Sequence, residues 1–422
     1  MKILDHLTSA ALLPKVRRLF DLSAGKILSL ERTWDRTHGS PVCTVGGRYT
    51  SRGWTEWTLG FQFGAAILQF DATGDAEFLE IGRSRTVAAM APHLTHSGVH
   101  DHGFNNLGTY GNLLRLMSEG RIPDNDWERR FYELALKCSG AVQAMRWSPV
   151  SDGGGYIYSF NGPHSLFVDA IRSVRSLVVA HRLGHVLMGE GDRPISLLDR
   201  ALHHLRATAR YSVYYGEHRD AWDVPGRVAH ESIFNPNDGA YRCPNSQQGY
   251  SPFTTWTRGL AWAMCGFAEE FEYFRAADGP ADVLAMLEKA ARATCDFYIA
   301  TTPADGVPYW DTGAPAIASG AEPVESSAAA IAAQGLLRLG RSLGDSRYWQ
   351  AGLSVCDSLF DAPYLSQDPE HQGLILHSVY HRPNAWNCGP GESSMWGDYH
   401  AREVALYVLR VAEEKPYLKF WV

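Results

Sequence analysis

The 422-residue sequence lacks several features, and each absence removes a class of protein. There is no C-x-x-C pair, and the cysteines (Cys43, Cys138, Cys243, Cys265, Cys295, Cys356 and Cys388) are odd in number and widely spaced. That pattern argues against a disulfide framework and against a zinc site, so the cysteines read as small buried apolar residues. No H-E-x-x-H or comparable histidine cluster occurs among His100, His102, His164 and His230, and neither a metal nor another cofactor is expected. No long uncharged apolar run could span a membrane. The first residues, Met1-Lys2-Ile3-Leu4-Asp5-His6, carry no apolar core followed by a cleavage site. The expectation is a cytoplasmic protein without a membrane partner. Positive charge is in deficit: the net charge of −7 leaves no broad electrostatic case for nucleic acid, although a local basic site for an acidic substrate stays open. Strand-like alternation is sparse, and no low-complexity tract or linker divides the chain, so residues 1–422 are expected to form one domain.

What is present is a globular composition, 45% apolar and 20% charged, with helical apolar spacing nearly everywhere. From Asn125, which with Glu128 makes a capping-box-like start, Trp127, Phe131, Leu134, Cys138, Val142 and Met145 recur every three or four residues. The spacing predicts twelve helices, near 13–32, 57–73, 75–94, 104–118, 124–146, 163–186, 193–214, 254–276, 280–301, 324–343, 345–361 and 396–413. Short links such as Gly74 alternate with long ones over 34–56, 146–162, 215–253, 302–323 and 362–395, all rich in Gly, Pro, Trp and Tyr. Loops of that length in a compact protein are usually functional. Short pieces at Gly155-Tyr156-Ile157-Tyr158 and Leu374-Ile375-Leu376 read as small β-elements. Ala328-Ala329-Ala330-Ile331-Ala332-Ala333 and Leu260-Ala261-Trp262-Ala263-Met264-Cys265 are apolar on more than one face, as fits buried helices. Helical hairpins joined by long aromatic loops predict an inner ring enclosed by an outer one, with a cavity at one end.

Two carboxylates and one Arg–Trp pair stand out. Asp101 lies in His100-Asp101-His102-Gly103-Phe104, just before a helix. Asp169 is flanked by apolar residues and is expected in the first turns of its helix, where the macrodipole favours an ionised acid. A second carboxylate nearby would raise one pKa and make a proton donor, and paired carboxylates are the usual equipment for acid/base work on sugars. Arg258 and Trp262 share a helix face, with Thr254 or Thr255 as the expected cap. A guanidinium beside an indole suits a flat carboxylated sugar. A helix cap, a buried ion pair and an ordinary core tryptophan account for the same residues equally well at this point.

Taken in order, the blocks resemble the unsaturated glucuronyl hydrolases, glycoside hydrolase family 88, and the related unsaturated rhamnogalacturonyl hydrolases. The likeness runs from about Trp54 to Val408. It is carried by His100-Asp101-His102-Gly103-Phe104; by His230, Gln248-Gly249-Tyr250 and Trp256-Thr257-Arg258-Gly259-Leu260-Ala261-Trp262-Ala263; by Pro308-Tyr309-Trp310-Asp311 with Ser326-Ser327-Ala328-Ala329-Ala330-Ile331-Ala332-Ala333; and by Trp396-Gly397-Asp398-Tyr399. The resemblance implies an all-α (α/α)6 barrel of six helical hairpins. It implies Asp169 as acid/base, Asp101 as its partner acid, and His230, Gln248, Arg258 and Trp262 as uronate contacts. Ser393 and Ser394 would lie near the polar groups of the substrate, and Trp57, from Trp57-Thr58-Leu59-Gly60-Phe61, would form a wall. Leu59 departs from the family in place of an acid, Glu325 stands where Asp is common, and Phe160 lies near a usual stacking Trp.

The implied substrate is an oligosaccharide ending in a 4-deoxy-4,5-unsaturated uronate, and the implied reaction is hydration of its C4=C5 enol ether, with Asp101 raising the pKa of Asp169. The alternatives are an exo-β-glucuronidase on saturated uronates, a sugar epimerase using paired histidines, and a non-catalytic sugar-binding protein. Either a monomer or a homodimer is compatible with the sequence.

Overall fold

The computed structural model describes residues 1–384 and 388–420; of the long loop expected over 362–395, residues 385–387 lie outside the described residues. The architecture is an (α/α)6 barrel. Six helices form the inner ring: Leu59–Thr73, the composite 102–118, the composite 170–182, Thr257–Ala276, Ser326–Leu343 and Met395–Ala412. Each packs against the next, and the last closes onto the first. The outer ring is Leu13–Thr33, Ala76–Ala89, Asp126–Met145, Leu197–Tyr211, Ala281–Thr301 and Ser346–Leu359.

Burial follows the ring. The inner helix Thr257–Ala276 is buried at every residue from Thr257 to Phe274, as expected of a helix surrounded by others. The outer helix Leu13–Thr33 buries Val16, Leu19, Phe20, Ser23, Lys26, Ile27 and Leu30, one stripe at helical spacing. Glycines set how closely inner helices approach. A Cβ on Gly60 would lie 2.3 Å from the Asn105 carbonyl oxygen, and one on Gly103 would lie 2.2 Å from that of Ser173.

Four expectations are corrected. The apolar series on Asp126–Met145 is helical, and Asn125 caps it through Oδ1 to the amides of Trp127 and Glu128. Its large members nevertheless face solvent, with Trp127 79% and Leu134 60% exposed. The buried face carries Tyr132, Ala135, Leu136, Ser139 and Gly140, and it narrows to small residues where the neighbouring inner helix comes closest; a Cβ on Gly140 would meet Ala180 at 2.4 Å. The segment expected as a helix over 163–186 opens instead with a strand, Ser165–Phe167, and breaks at Val174. Residues 75–94 form two helices, Ala76–Ala89 and Ala91–Leu94, the second starting with a proline in its first turn. The helix Thr257–Ala276 has Trp256 at its cap position, not a threonine.

The small β-elements lie in the loops. Gly155–Ile157 pairs with Trp147–Pro149, and Leu365 bridges Ile375. The sheet that matters for the site has the strand Glu231–Phe234 at its centre, antiparallel to Ser165–Phe167 on one side and Tyr241–Asn245 on the other. Among the described residues no helix is long and apolar enough to cross a membrane.

Candidate active site

All six inner helices begin at the same end of the barrel. Thr58, Asp101, Asp169, Trp256, Glu325 and Ser394 precede their first turns. Six partial positive charges therefore converge there, a field that favours a bound anion. A cavity of about 510 Å³ opens at this end, lined among others by Trp57, Asp101, Asp169, Gln248, Arg258 and Trp262. Six of the nine residues singled out in the sequence thus share one chamber.

The sheet brings Asp169 and His230 together. Phe167 pairs with Glu231, and one step further the Val168 amide donates to the His230 carbonyl at 3.0 Å. Asp169 is the residue before its helix, not part of the first turn, and its side chain makes no capping bond. Its Oδ1 meets His100 Nε2 at 3.0 Å, and the same nitrogen lies 3.9 Å from Asp101 Oδ1. His100 thus joins the two carboxyl groups, a role the sequence analysis did not give it. Its position beside Asp101 in the His100-Asp101 block was the available signal. The imidazole also stacks on Phe160, with ring centroids 6.3 Å apart.

The charges in this trio run opposite to expectation. Burial would push Asp169 up, but the adjoining His100, through charge and hydrogen bond, prevails with help from Arg258 and holds its carboxyl below the ordinary range. Burial also pushes Asp101 up, and repulsion from Asp169 adds to it against the pull of His100, so Asp101 is the weaker acid. For His100, burial acts downward, but the two carboxylates prevail and hold the imidazole above its usual range. The free site therefore stores one proton on His100, against an ionised Asp169.

His230 differs from His100. Its Nδ1 accepts from the backbone amides of Gln247 and Gln248 at 3.1 and 3.3 Å. Burial lowers its pKa to about 3, so the ring is neutral with its proton on Nε2, a buried donor with no partner. The ring is held between Phe167 and Trp256, with centroids at 4.6 and 4.4 Å.

Arg258 is committed to the protein. Its guanidinium bonds Glu325 Oε2 at 2.7 Å, Gln248 Oε1 at 2.6 Å, and the Tyr380 carbonyl at 2.8 Å; the Val379 carbonyl accepts a fourth bond. It sits between the rings of Trp256 and Trp396. The fork expected to grip the substrate carboxylate instead fixes Gln248, whose oxygen is engaged while its amide N–H groups stay available. Trp57 and Trp262 form walls as expected. Trp57 stacks on Trp396 with centroids 5.0 Å apart and donates from Nε1 to the Tyr380 hydroxyl, and Trp262 packs on Phe104 and His400.

Ser393 and Ser394 are fully buried and are not among the residues lining the cavity. Ser394 Oγ accepts from the Gly397 amide at the head of its helix and meets Ser378 Oγ at 2.6 Å. The Thr44 amide donates to the Ser393 carbonyl at 2.9 Å, and the Ser393 amide donates to Thr44 Oγ1 at 2.8 Å. Both serines are thus engaged by the protein.

The departures have local reasons. Leu59 packs against a core cluster. Glu325 serves at once as partner of Arg258 and as cap of its own helix, accepting from the Ser327 and Val379 amides. Glu56, Tyr380, His381 and Asn384 also line the chamber; they come from loops without a recognisable motif. Among the described residues, no group of three or more His, Cys, Asp and Glu side chains is placed to hold a metal ion.

No protein-family model matches the chain. It is 29% identical over 390 residues to an unsaturated glucuronyl hydrolase of Bacillus sp. strain GL1, covering 87% of this chain and 90% of that protein. It is 24% identical to an unsaturated chondroitin disaccharide hydrolase of Streptococcus pyogenes serotype M1, covering 86% and 84%. The crystal structure of the Bacillus sp. GL1 unsaturated glucuronyl hydrolase superposes with a TM-score of 0.75 at 24% identity, covering 93% of this chain and 96% of that one. That of an unsaturated glucuronyl hydrolase from Streptococcus agalactiae gives 0.76 at 20% identity, covering 100% and 95%.

Proposed function

We propose that this chain, which belongs to the unsaturated glucuronyl hydrolase family, releases the terminal 4,5-unsaturated uronate from lyase-generated oligosaccharides by hydrating its C4=C5 enol ether. The observation that carries this reading is the shared contact of Asp101 and Asp169 with one nitrogen of His100. A direct glycosidase needs two carboxyl groups on opposite sides of the scissile bond. Here the two acids form one cluster, and the facing wall offers Gln248, Arg258 and Trp262 instead. That arrangement suits a reaction in which one group gives a proton and takes one back.

The uronate enters end-on, its carboxylate toward the converging helix ends and the Gln248 amide. Its negative charge and the expulsion of water raise the pKa of Asp169, and the stored proton passes from His100 Nε2 to Asp169 Oδ1. Asp169 protonates C4, and the cation develops at C5 beside the ring oxygen. Water adds at C5 and gives its proton to Asp169. The hemiketal opens to a C5 ketone, leaving at C1 a hemiacetal that expels the remaining sugar. Asp101 positions His100, and Trp57 and Trp262 keep out bulk water.

An epimerase would leave the glycosidic bond intact, so release of the second sugar separates that alternative from the hydratase. The test is a panel of saturated and unsaturated uronyl disaccharides. Loss of the ultraviolet absorbance of the conjugated double bond, with release of the second sugar, is expected only for the unsaturated set. Cleavage of the saturated set alone would establish the exo-glucuronidase instead.

A further inference from the structure

Glu56 has no part in the reaction just described, yet it borders the same chamber. The chain enters this wall from the rim, where Gly53 and Trp54 are exposed, and descends to Thr58, buried at the start of its helix. Glu56 therefore lies between rim and floor, one residue above Trp57, beside the path of whatever sugar is attached to the uronate. Its Oε1 accepts from the Trp57 amide at 3.1 Å, which holds the carboxyl group against the wall. Burial and the neighbouring Asp101 raise its pKa to about 7, with the Trp57 amide and Arg52 acting the other way. Arg52 is itself bonded to Thr50 Oγ1 and the Ser51 carbonyl.

Beyond the His100 imidazolium, which is engaged by Asp169, the chamber has little to balance these acids. Arg258 is the one Lys or Arg side chain among its described lining residues, and it is paired with Glu325. His96 and His381, also in the lining, are held below the ordinary imidazole range, chiefly by burial and then by Arg146 and Arg258 respectively. Arg146, behind Asp101, bonds the carbonyls of Tyr158, Ser97 and Ser159. The inner end of the chamber is thus favourable to one carboxylate, whereas the level of Glu56 carries a carboxyl group that becomes negative as pH rises above about 7, with no Lys or Arg besides the paired Arg258 among the described lining residues.

We infer that Glu56 is a specificity-determining residue that restricts the substrate to oligosaccharides whose second sugar is uncharged, rejecting those that carry a sulfate or carboxylate there. The neutral sugar offers hydroxyls to the Glu56 carboxyl group, while an anionic group must either face the ionised carboxylate or drive a proton onto it, which one pH unit above a pKa of about 7 costs about tenfold in kcat/KM. This inference rests on the hydratase reading above.

The test uses two unsaturated disaccharides that differ only in one sulfate on the second sugar, assayed by absorbance loss at about pH 8, where Glu56 is ionised, with the wild type, Glu56→Gln and Glu56→Lys. The wild type is expected to favour the unsulfated substrate by about tenfold. Glu56→Gln should bring the ratio close to one, and Glu56→Lys should invert it. Both substrates are read on one preparation, so partial unfolding of a variant cancels from the ratio. Equal turnover of both substrates by the wild type, or an unchanged ratio in both variants, overturns the inference while leaving the hydratase reading intact. Absence of turnover on either disaccharide by the wild type overturns the hydratase reading and this inference with it.

Discussion

Asp169 rests ionised against a protonated His100, and this has consequences for both activity and pH. Asp169→Asn keeps the shape and removes both the transferable proton and the charge facing His100; turnover is expected to fall by at least about 10²–10⁴-fold, measured at a temperature where circular dichroism shows the variant still folded. Near wild-type turnover would exclude Asp169 as the acid/base. The His100 pKa is raised, so its proton is present below the ordinary imidazole value and is lost as pH rises through the folded one. In the wild type, kcat/KM should decline on the alkaline side of that folded value, and His100→Gln should lose this limb of the profile along with most of its activity. Arg258 makes the contrasting case. It pairs with buried Glu325 at 2.7 Å, so Arg258→Met leaves a buried carboxylate uncompensated. A loss of about 3–5 kcal/mol in urea unfolding is expected, where a residue that merely contacts substrate would raise KM and leave stability alone. The two aspartates were legible as candidates from their local blocks. The partners of Arg258 were not, because Glu325, Val379 and Tyr380 reach it from loops far along the chain.

Secondary-structure elements carry the site through their ends, and close packing of those elements sets its geometry. Gly103 lies two residues beyond Asp101 and approaches the backbone of Ser173, one turn beyond Asp169. A methyl group there must push the two helices apart. Gly103→Ala is expected to cost about 1–3 kcal/mol and to lower activity beyond what the lost stability explains, since the His100–Asp169 contact spans the same two helices; a thermal melt paired with kinetics well below the midpoint separates the effects. The helix Asp126–Met145 shows where periodicity stops being informative. Its spacing identified a helix, but the large apolar stripe faces solvent, and the small face was selected by the approach to Ala180. Likewise the strand Ser165–Phe167 was hidden in a run of apolar residues that suits a helix equally well; only pairing with Glu231–Phe234 distinguishes them.

Across the whole molecule, the barrel's interior is ionic as well as apolar. Arg172 bridges Glu269 at 3.0 Å and Glu403 at 2.7 Å, Arg175 reaches Glu269 at 3.2 Å, and Arg338 reaches Glu272 at 2.6 Å. Burial would raise Glu269, but Arg172, Arg175 and Arg338 hold it well below the usual range. Its contribution to stability is present above the unfolded carboxylate pKa and is lost as pH falls below it, so acid should unfold the ring. Next to it, Glu270 has two buried oxygens without partners, and burial together with Glu269 raises its pKa to about 8. The folded state therefore holds a proton that the unfolded state releases above about 4.5, and stability falls as pH rises from there to about 8. Glu270→Gln should abolish that slope and exceed the wild type at the alkaline end, as read by urea unfolding across this range. A parallel slope in both proteins would mean Glu270 is ionised in the fold.

Helix number, the alternation of short and long links, the buried character of the inner helices and the candidate acids all follow from local spacing and residue type, because a helix registers its environment every three or four residues. Which side chains meet does not follow from spacing. The proton held between His100 and Asp169, the engagement of Arg258 by Glu325, the burial of Ser393 and Ser394 away from the chamber lining, and the place of Glu56 beside Asp101 all arise from closing six hairpins into a ring. That closure brings residues hundreds of positions apart within a few ångströms, where burial and neighbouring charge, neither written in any local stretch, decide which group carries the proton.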